Sequence, residues 1–414
     1  MESRPKQRGK LRRVLKRATV VVVLVAVFIL GLSVGNGRLQ LPMSHHLQPV
    51  SSNLPATLNY SSVQKVYQSL KDNYDGQLTE SQLEDGLKHG LAEATKDPYT
   101  VYFTAKEAKD FNGQLNNMFS GIGAQLGQDA DGNLQVIAPI AGLPADKAGL
   151  KAKDLIASIN GVSTAGEAVD DAVSKIRGPK GSKVTLQVVR NHKQSLTLTI
   201  IRDDIKLPSV KTKILDGNIG YIQISTFADD TNQLTQQAAD DFKSKQVNGI
   251  ILDLRENPGG LLDAAVHLSS LWLPQGQKIL DEKHGNTVVD SKNALGGNEL
   301  HGIPTVVLID AGSASASEIT AGALHDNNAA YLIGEKSYGK GVVQDVICVT
   351  GQRLPDGTCP SDELKVTIAS WYRPNGQNIN HKGITPDKTV TISDADAQAG
   401  TDTQLQAAQD YLKK

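Results

Sequence analysis

The pattern of apolar and polar positions changes period along the chain. Residues 18–34 (ATVVVVLVAVFILGLSV) are 17 uncharged, overwhelmingly apolar positions, near the lower limit of roughly 17 to 25 residues for a helix that crosses a bilayer. Residues 35–57 carry Pro42, Pro49 and Pro55 among polar positions without periodicity and read as a tether. From residue 60 to about 95, Val63, Val66, Tyr67 and Leu70, then Leu83, Leu87 and Leu91, recur at three- and four-residue steps, which predicts two amphipathic helices that end at Pro98.

Residues 119–205 hold short β-type runs (FSGIGAQLG, NLQVIAPI, DLIASING, KVTLQVVR, LTLTIIR) and one helical stretch at 166–177, the signature of a small β module. From residue 217 strands and helices alternate: IGYIQIS, a helical TNQLTQQAADDFKSK, VNGIILDLR, a helix after NPGG, TVVLIDA, a helix after SASASE, then AAYLIG. Such βαβ units predict a core on a largely parallel sheet covered by helices. The expected fold is α+β and multidomain: a basic segment 1–17, a transmembrane anchor 18–34, a tether 35–57, a helical region 58–110, a β domain 119–205, an α/β core 206–392 on a mixed, largely parallel sheet, and a helical tail 393–414.

Net charge is −1 overall, yet residues 1–17 alone carry +7 (Arg4, Lys6, Arg8, Lys10, Arg12, Arg13, Lys16 and Arg17 against Glu2), which leaves −8 for the rest. Cations piled on one side of the apolar run place residues 1–17 in the cytoplasm and the body outside it, in a single-pass arrangement at a bacterial-type cell membrane. A cleaved signal peptide ending near Ser33-Val34-Gly35 is the rival reading, although the run exceeds the usual 7 to 15 apolar residues of such a peptide. An acidic body repels polyanions, which argues against nucleic-acid binding.

Outside the cytoplasm the two cysteines, Cys348 and Cys359, can form a disulfide at the base of a hairpin whose turn is PDGT, worth up to about 3 kcal/mol in the chain-entropy model. His45-His46 lacks Cys or carboxylate partners, so no metal is expected. Gly334 to Lys340 matches G-x-x-x-x-G-K, but Gly341 stands where Ser or Thr should hold magnesium and a β-type run follows. Ser337 to Lys340 spells S-x-x-K, yet the glycines deny it a helix. Both are chance matches, and no nucleotide or other cofactor is expected.

Chemistry concentrates in four places. Gly121, Ile122 and Gly123 lie where a strand begins, with backbone N–H groups that suit an anion such as a peptide's terminal carboxylate; a plain turn is the alternative. The NPGG turn (257–260) exposes N–H groups fit for a developing oxyanion, or is an ordinary tight turn. IDAGSASASEITAGALHD (309–326) sets three serines before a helix, as nucleophile or as N-cap. Lys340, in an apolar stretch between glycines, is a general base if burial lowers its pKa, or a solvated loop lysine.

GLPADKAGLKAKDLIASING and the elements around it resemble a PDZ domain of the bacterial protease type. Behind it come NPGGLL, SASASEITAGALHD, GEKSYGKGVVQ and WYRPNGQNINHKGITPD in that order, and with DPYT and IGYIQISTF they make residues 60–390 resemble the carboxyl-terminal processing peptidases, or tail-specific proteases. The resemblance implies a serine endopeptidase with Ser315 as nucleophile, Lys340 as general base and Gln344 positioning the lysine by a hydrogen bond; Ser313 and Ser317 are the alternative nucleophiles. It implies an oxyanion hole from the N–H of Ala316 and one from the Gly259-Gly260 turn. Implied partners are proteins or peptides with accessible C-terminal tails, read by the PDZ-like domain, which delivers tails or gates the site; the oligomeric state stays open, with a dimer among the options. Glu256 and the enlarged hairpin bearing the cysteines depart from the family pattern. The rival from another class is an inactive scaffold that captures C-termini.

Overall fold

The computed structural model describes residues 54–55, 57–191, 193–354 and 358–413. The basic segment, the apolar run 18–34, His45-His46 and most of the tether lie outside the described residues, as does most of the PDGT turn. Among the described residues no helix is long and apolar enough to cross a membrane. The chain divides into two compact bodies after Gln77. In the first, the helix Ser61–Asn73 buries none of its residues.

The second body opens with the helix Glu80–Glu93, started by a capping box between Thr79 and Gln82. Its expected apolar stripe is not its inner face: Leu87 and Leu91 are exposed and Ala92 is buried. On the inward side the Lys88 ammonium donates to Asp362 (2.9 Å) and to the Tyr102 hydroxyl (3.0 Å). The helical region also contains a strand, Val101–Phe103, and a third helix, Ala105–Leu115, capped by Thr104 and Glu107.

The small module is a sheet in the order Ala124–Gln128, Leu134–Pro139, Leu155–Ile159, Lys183–Arg190, Gln194–Ile201, with Val162–Ser163 beside Leu155–Ile159. In KVTLQVVR every second residue, Val184, Leu186 and Val188, is fully buried, as period-two patterning requires. The helix Val169–Ile176 packs Ala172 and Ile176 into the same core. FSGIGAQLG is not one strand: Met118–Gly121 pairs with Asp203–Lys206, whereas Ala124–Gln128 joins the module as an edge strand. The break falls at Ile122-Gly123, where Gly123 has φ +73°.

The core sheet runs Val210–Leu215, Ile219–Ile224, Gly249–Asp253, Thr305–Ile309, Tyr331–Gly334, Lys388–Thr389, with only the first pair antiparallel. Central strands are buried on both faces, which explains their unbroken apolar runs. Ile250, Leu252, Val307 and Ile309 meet the helices Thr231–Ser244, Leu262–Ser270 and Ala316–Asp326 on one face. Ile251, Val306 and Leu308 meet Ala408 of the helix Thr403–Leu412 on the other, and Arg255 ties that helix down by bridging Asp253 (2.6 Å) and Asp402 (2.8 Å).

A second, antiparallel sheet is organised by the long strand Glu363–Tyr372, which pairs with Val342–Cys348, Val101–Phe103 and Lys278–His284. Cys348 and Cys359 are bonded near the mouth of the hairpin, with Cα atoms 5.8 Å apart. Gly334 to Lys340 runs from one strand toward another with no helix after it. The NPGG turn and the serine loop follow adjacent parallel strands at their carboxyl ends, where open α/β sheets bind ligands.

Candidate active site

Three serines compete on one loop, and their partners separate them. Ser313 Oγ donates to the Leu254 carbonyl (2.8 Å) and Ser317 Oγ to the Asn257 carbonyl (2.9 Å), and both residues are fully buried. Ser315 instead lines an open cavity. It is the N-cap of the helix Ala316–Asp326 and holds φ +53°, ψ −114°, a backbone state that costs a non-glycine residue of order 1–3 kcal/mol and that surrounding structure must enforce.

That enforcement is visible on both sides. The Ser315 N–H donates to the Glu318 carboxylate (3.0 Å). Across from it, Asn257 donates to the Ile224 carbonyl (2.7 Å) and accepts from the Gly259 N–H (2.9 Å), fixing the NPGG turn against the serine loop. A Cβ at Gly259 would stand 2.8 Å from the Ser315 Cβ and 2.9 Å from the Ala316 nitrogen, so no other residue fits. Because Asn257 occupies the Gly259 N–H, Gly260 carries the unclaimed donor of the pair. The N–H groups of Gly260 and Ala316 have no partner among the described residues, and both residues line the cavity.

Lys340 arrives from the other sheet. The same Glu318 carboxylate accepts the Lys340 N–H (2.9 Å), the Gly339 N–H (2.7 Å) and the Ser337 hydroxyl (2.5 Å), and the Trp371 indole donates to the Lys340 carbonyl (2.9 Å). At Gly341 a Cβ would lie 2.5 Å from the Asn380 nitrogen, so glycine is what lets this loop lie against NINHKG. The Lys340 ammonium sits 5.0 Å from the Tyr99 ring centroid. It makes no hydrogen bond or ion pair among the described residues, Ser315 included. Burial, reinforced by the charge of Lys365, pulls its pKa down to about 8, against the pull of Asp97 and Glu318. Glu318, fully buried, is itself pushed upward by burial, which its hydrogen bonds only partly offset.

Gln344 lines the cavity, but its amide donates to the Thr367 hydroxyl (3.2 Å) rather than meeting Lys340. The Thr367 N–H in turn donates to the Thr100 hydroxyl (3.2 Å), which donates to Asp97 (2.7 Å). DPYT (97–100) is thus built into the wall behind Lys340, a role its place in the sequence does not announce. Lys365 was also missed, although it alternates in phase with Thr367, Ala369 and Trp371, the last two buried. Glu256 is exposed beside Asp310, whose negative charge raises its pKa. His325 lies in the last turn of its helix and meets Asp387 (3.0 Å), remote from Ser315 chemistry.

Ser315, Ala316, Gly259, Gly260, Lys340 and Gln344 therefore surround one cavity of about 400 Å³ whose other walls are mainly apolar, Phe111, Leu115, Ile319 and Val346 among them. Gly121, Ile122 and Gly123 are elsewhere, at the break before the module's edge strand. The Ile122 and Gly123 carbonyls accept from Ala145 (2.7 Å) and Ile140 (2.9 Å), and their N–H groups have no partner among the described residues.

Residues 218–390 match the sequence pattern of peptidase family S41, and residues 111–189 that of the PDZ domain. The chain is 37% identical over 337 residues to the carboxy-terminal processing protease CtpA of Bacillus subtilis (strain 168), covering 81% of this chain and 70% of that protein. It is 34% identical over 368 residues to CtpB of the same organism, covering 84% and 72%. Among solved structures, an S41-type protease from Bacteroides fragilis NCTC 9343 shares the fold with a TM-score of 0.53 at 18% identity, over 87% of this chain and 98% of that one.

Replacing Glu318 by glutamine leaves one acceptor oxygen where four donors converge and turns an N–H₂ toward the rest. Glu318→Gln is expected to lower unfolding free energy by about 2–3 kcal/mol, read as a reduced urea midpoint.

Proposed function

The chain belongs to peptidase family S41, the carboxy-terminal processing serine proteases with a PDZ domain, and from that premise we propose that it cleaves tail-bearing proteins with a Ser315–Lys340 dyad. The observation that carries the reading is the shared cavity: the one serine of the loop whose hydroxyl donates to no core carbonyl, a lysine with a lowered pKa, and two residues with unclaimed N–H groups.

In this mechanism a scissile carbonyl enters beside Ser315 with its oxygen toward the Gly260 and Ala316 N–H groups. Neutral Lys340 removes the Ser315 proton as Oγ attacks, and the two donors stabilise the oxyanion as charge develops. The lysinium then protonates the leaving amine, and water, activated by the neutral lysine, releases the acyl group. The Ser315–Lys340 hydrogen bond forms as substrate closes the cavity, a tightening common in catalytic sites. Gln344 acts through Thr367, holding the strand that carries the lysine's neighbours.

Protonated Lys340 cannot serve as base, so kcat/KM should rise about tenfold per pH unit below a pKa near 8 and level off above it. Ser315→Ala and Lys340→Ala should each reduce cleavage of an unstructured protein by at least about 10³-fold, while EDTA and ATP leave it unchanged. Normal cleavage by either variant refutes the dyad; binding of tails without cleavage by any form favours a scaffold.

The PDZ domain supplies a free strand edge, Ala124–Gln128, and two unclaimed N–H groups at Ile122 and Gly123, the arrangement by which an extended peptide adds to a sheet with its carboxylate in a backbone nest. With Ser315→Ala as a non-cleaving form, a peptide with a free terminus should bind at least about tenfold tighter than its amide; equal affinity rejects tail reading.

The tether to a bacterial-type membrane rests on the sequence of residues 1–34, with the catalytic body on the extracytoplasmic side. The full chain should stay with membranes through high salt and leave them only in detergent; release by salt alone rejects an anchor.

A further inference from the structure

Lys365 is the second cation in the Ser315 cavity, and no step of the proposed mechanism uses it. It stands on the strand Glu363–Tyr372 and lines the cavity with Ser315, Lys340, Gln344 and Trp371. Its Nζ lies 4.8 Å from the Phe111 ring centroid and 5.6 Å from that of Phe103. Among the described residues nothing hydrogen-bonds or ion-pairs with it. Burial lowers its pKa, and the carboxylate that acts against this through space, Asp97, is engaged by the Thr100 hydroxyl and the Tyr99 N–H.

Aromatic faces support a cation but supply no counter-charge. A half-buried ammonium without a paired anion is costly unless an anion joins it, and no Asp or Glu is among the residues that line the cavity. The space is open toward Ser315, where a polypeptide would lie. We propose that Lys365 is a subsite for a substrate carboxylate, which docks against its ammonium beside Phe111 while the neighbouring peptide bond lies at Ser315. The carboxylate is either the terminal α-carboxylate or an Asp or Glu side chain. The assignment rests on the reading of this cavity as the peptidase site and adds a preference to it: acidic segments over neutral ones.

The test uses the full chain and one peptide that it cleaves, made as a free acid or an amide and with Glu or Gln at the positions flanking the cut. Rates are compared as ratios of kcat/KM at a single pH, so any change in Lys340 ionisation cancels. Wild type should favour a carboxylate in one arm at least tenfold. Lys365→Gln should erase that ratio, mainly through KM, while neutral peptides are still cut, which also reports that the variant folds. Lys365→Arg should retain it. The arm that responds identifies the source of the carboxylate. A ratio that survives in Lys365→Gln belongs elsewhere, to the PDZ domain for the free-acid arm, and overturns the subsite. So does a wild type indifferent to charge, or a variant slowed equally on every peptide, which makes Lys365 an electrostatic neighbour of Lys340 only. Cleavage that persists in Ser315→Ala refutes the dyad itself, and with it the placement of the peptide bond beside Lys365.

Discussion

The geometry around Ser315 depends on one buried carboxylate. Glu318 accepts the Ser315 N–H from its own helix and the Ser337 hydroxyl and the Gly339 and Lys340 N–H groups from the loop opposite. Ser315 follows a strand of the core sheet and Lys340 precedes a strand of the second sheet, and this side chain is where their backbones meet. A carboxylate at the first turn of a helix is favoured by unpaired N–H groups and the helix dipole; here the favour extends to a second segment. Burial raises its pKa, so the hydrogen bonds must be numerous for the anion to persist at all.

Around that point the site is held by exclusion as much as by bonds. Gly259 is pressed against Ser315, Gly341 against NINHKG, and Asn257 consumes the Gly259 N–H. Among the described residues, what remains unclaimed around the cavity is small: two N–H groups, the Ser315 hydroxyl proton, and the ammoniums of Lys340 and Lys365. An interior that satisfies nearly every polar group leaves these few aimed at a common space.

Strand and helix order in the core was legible because buried parallel strands must be apolar throughout, as in GIILD and TVVLI, and the turns between them carry glycine. The motif serines and Lys340 could be placed by resemblance, but residues alone left Ser315 poised between cap and nucleophile, and it is in fact at the cap position. Contacts between distant segments were not legible. Lys88 meets Asp362, Gln344 donates to Thr367, and Tyr99 lies beneath Lys340. Each depends on a partner far along the chain, and the local period carries no record of it. Lys365 left a trace, a cation in phase with a buried tryptophan.

The second sheet interleaves Val101–Phe103, Lys278–His284, Val342–Cys348 and Glu363–Tyr372, so the walls of the cavity draw on both ends of the folded body. Such non-local pairing forms late, since the loops it closes must first be ordered. A ribosome that has completed only the PDZ domain, or even the serine loop, has not yet made Lys340 or the strand Glu363–Tyr372. A chain halted before residue 363 therefore lacks one wall of the cavity, whatever else of it has folded.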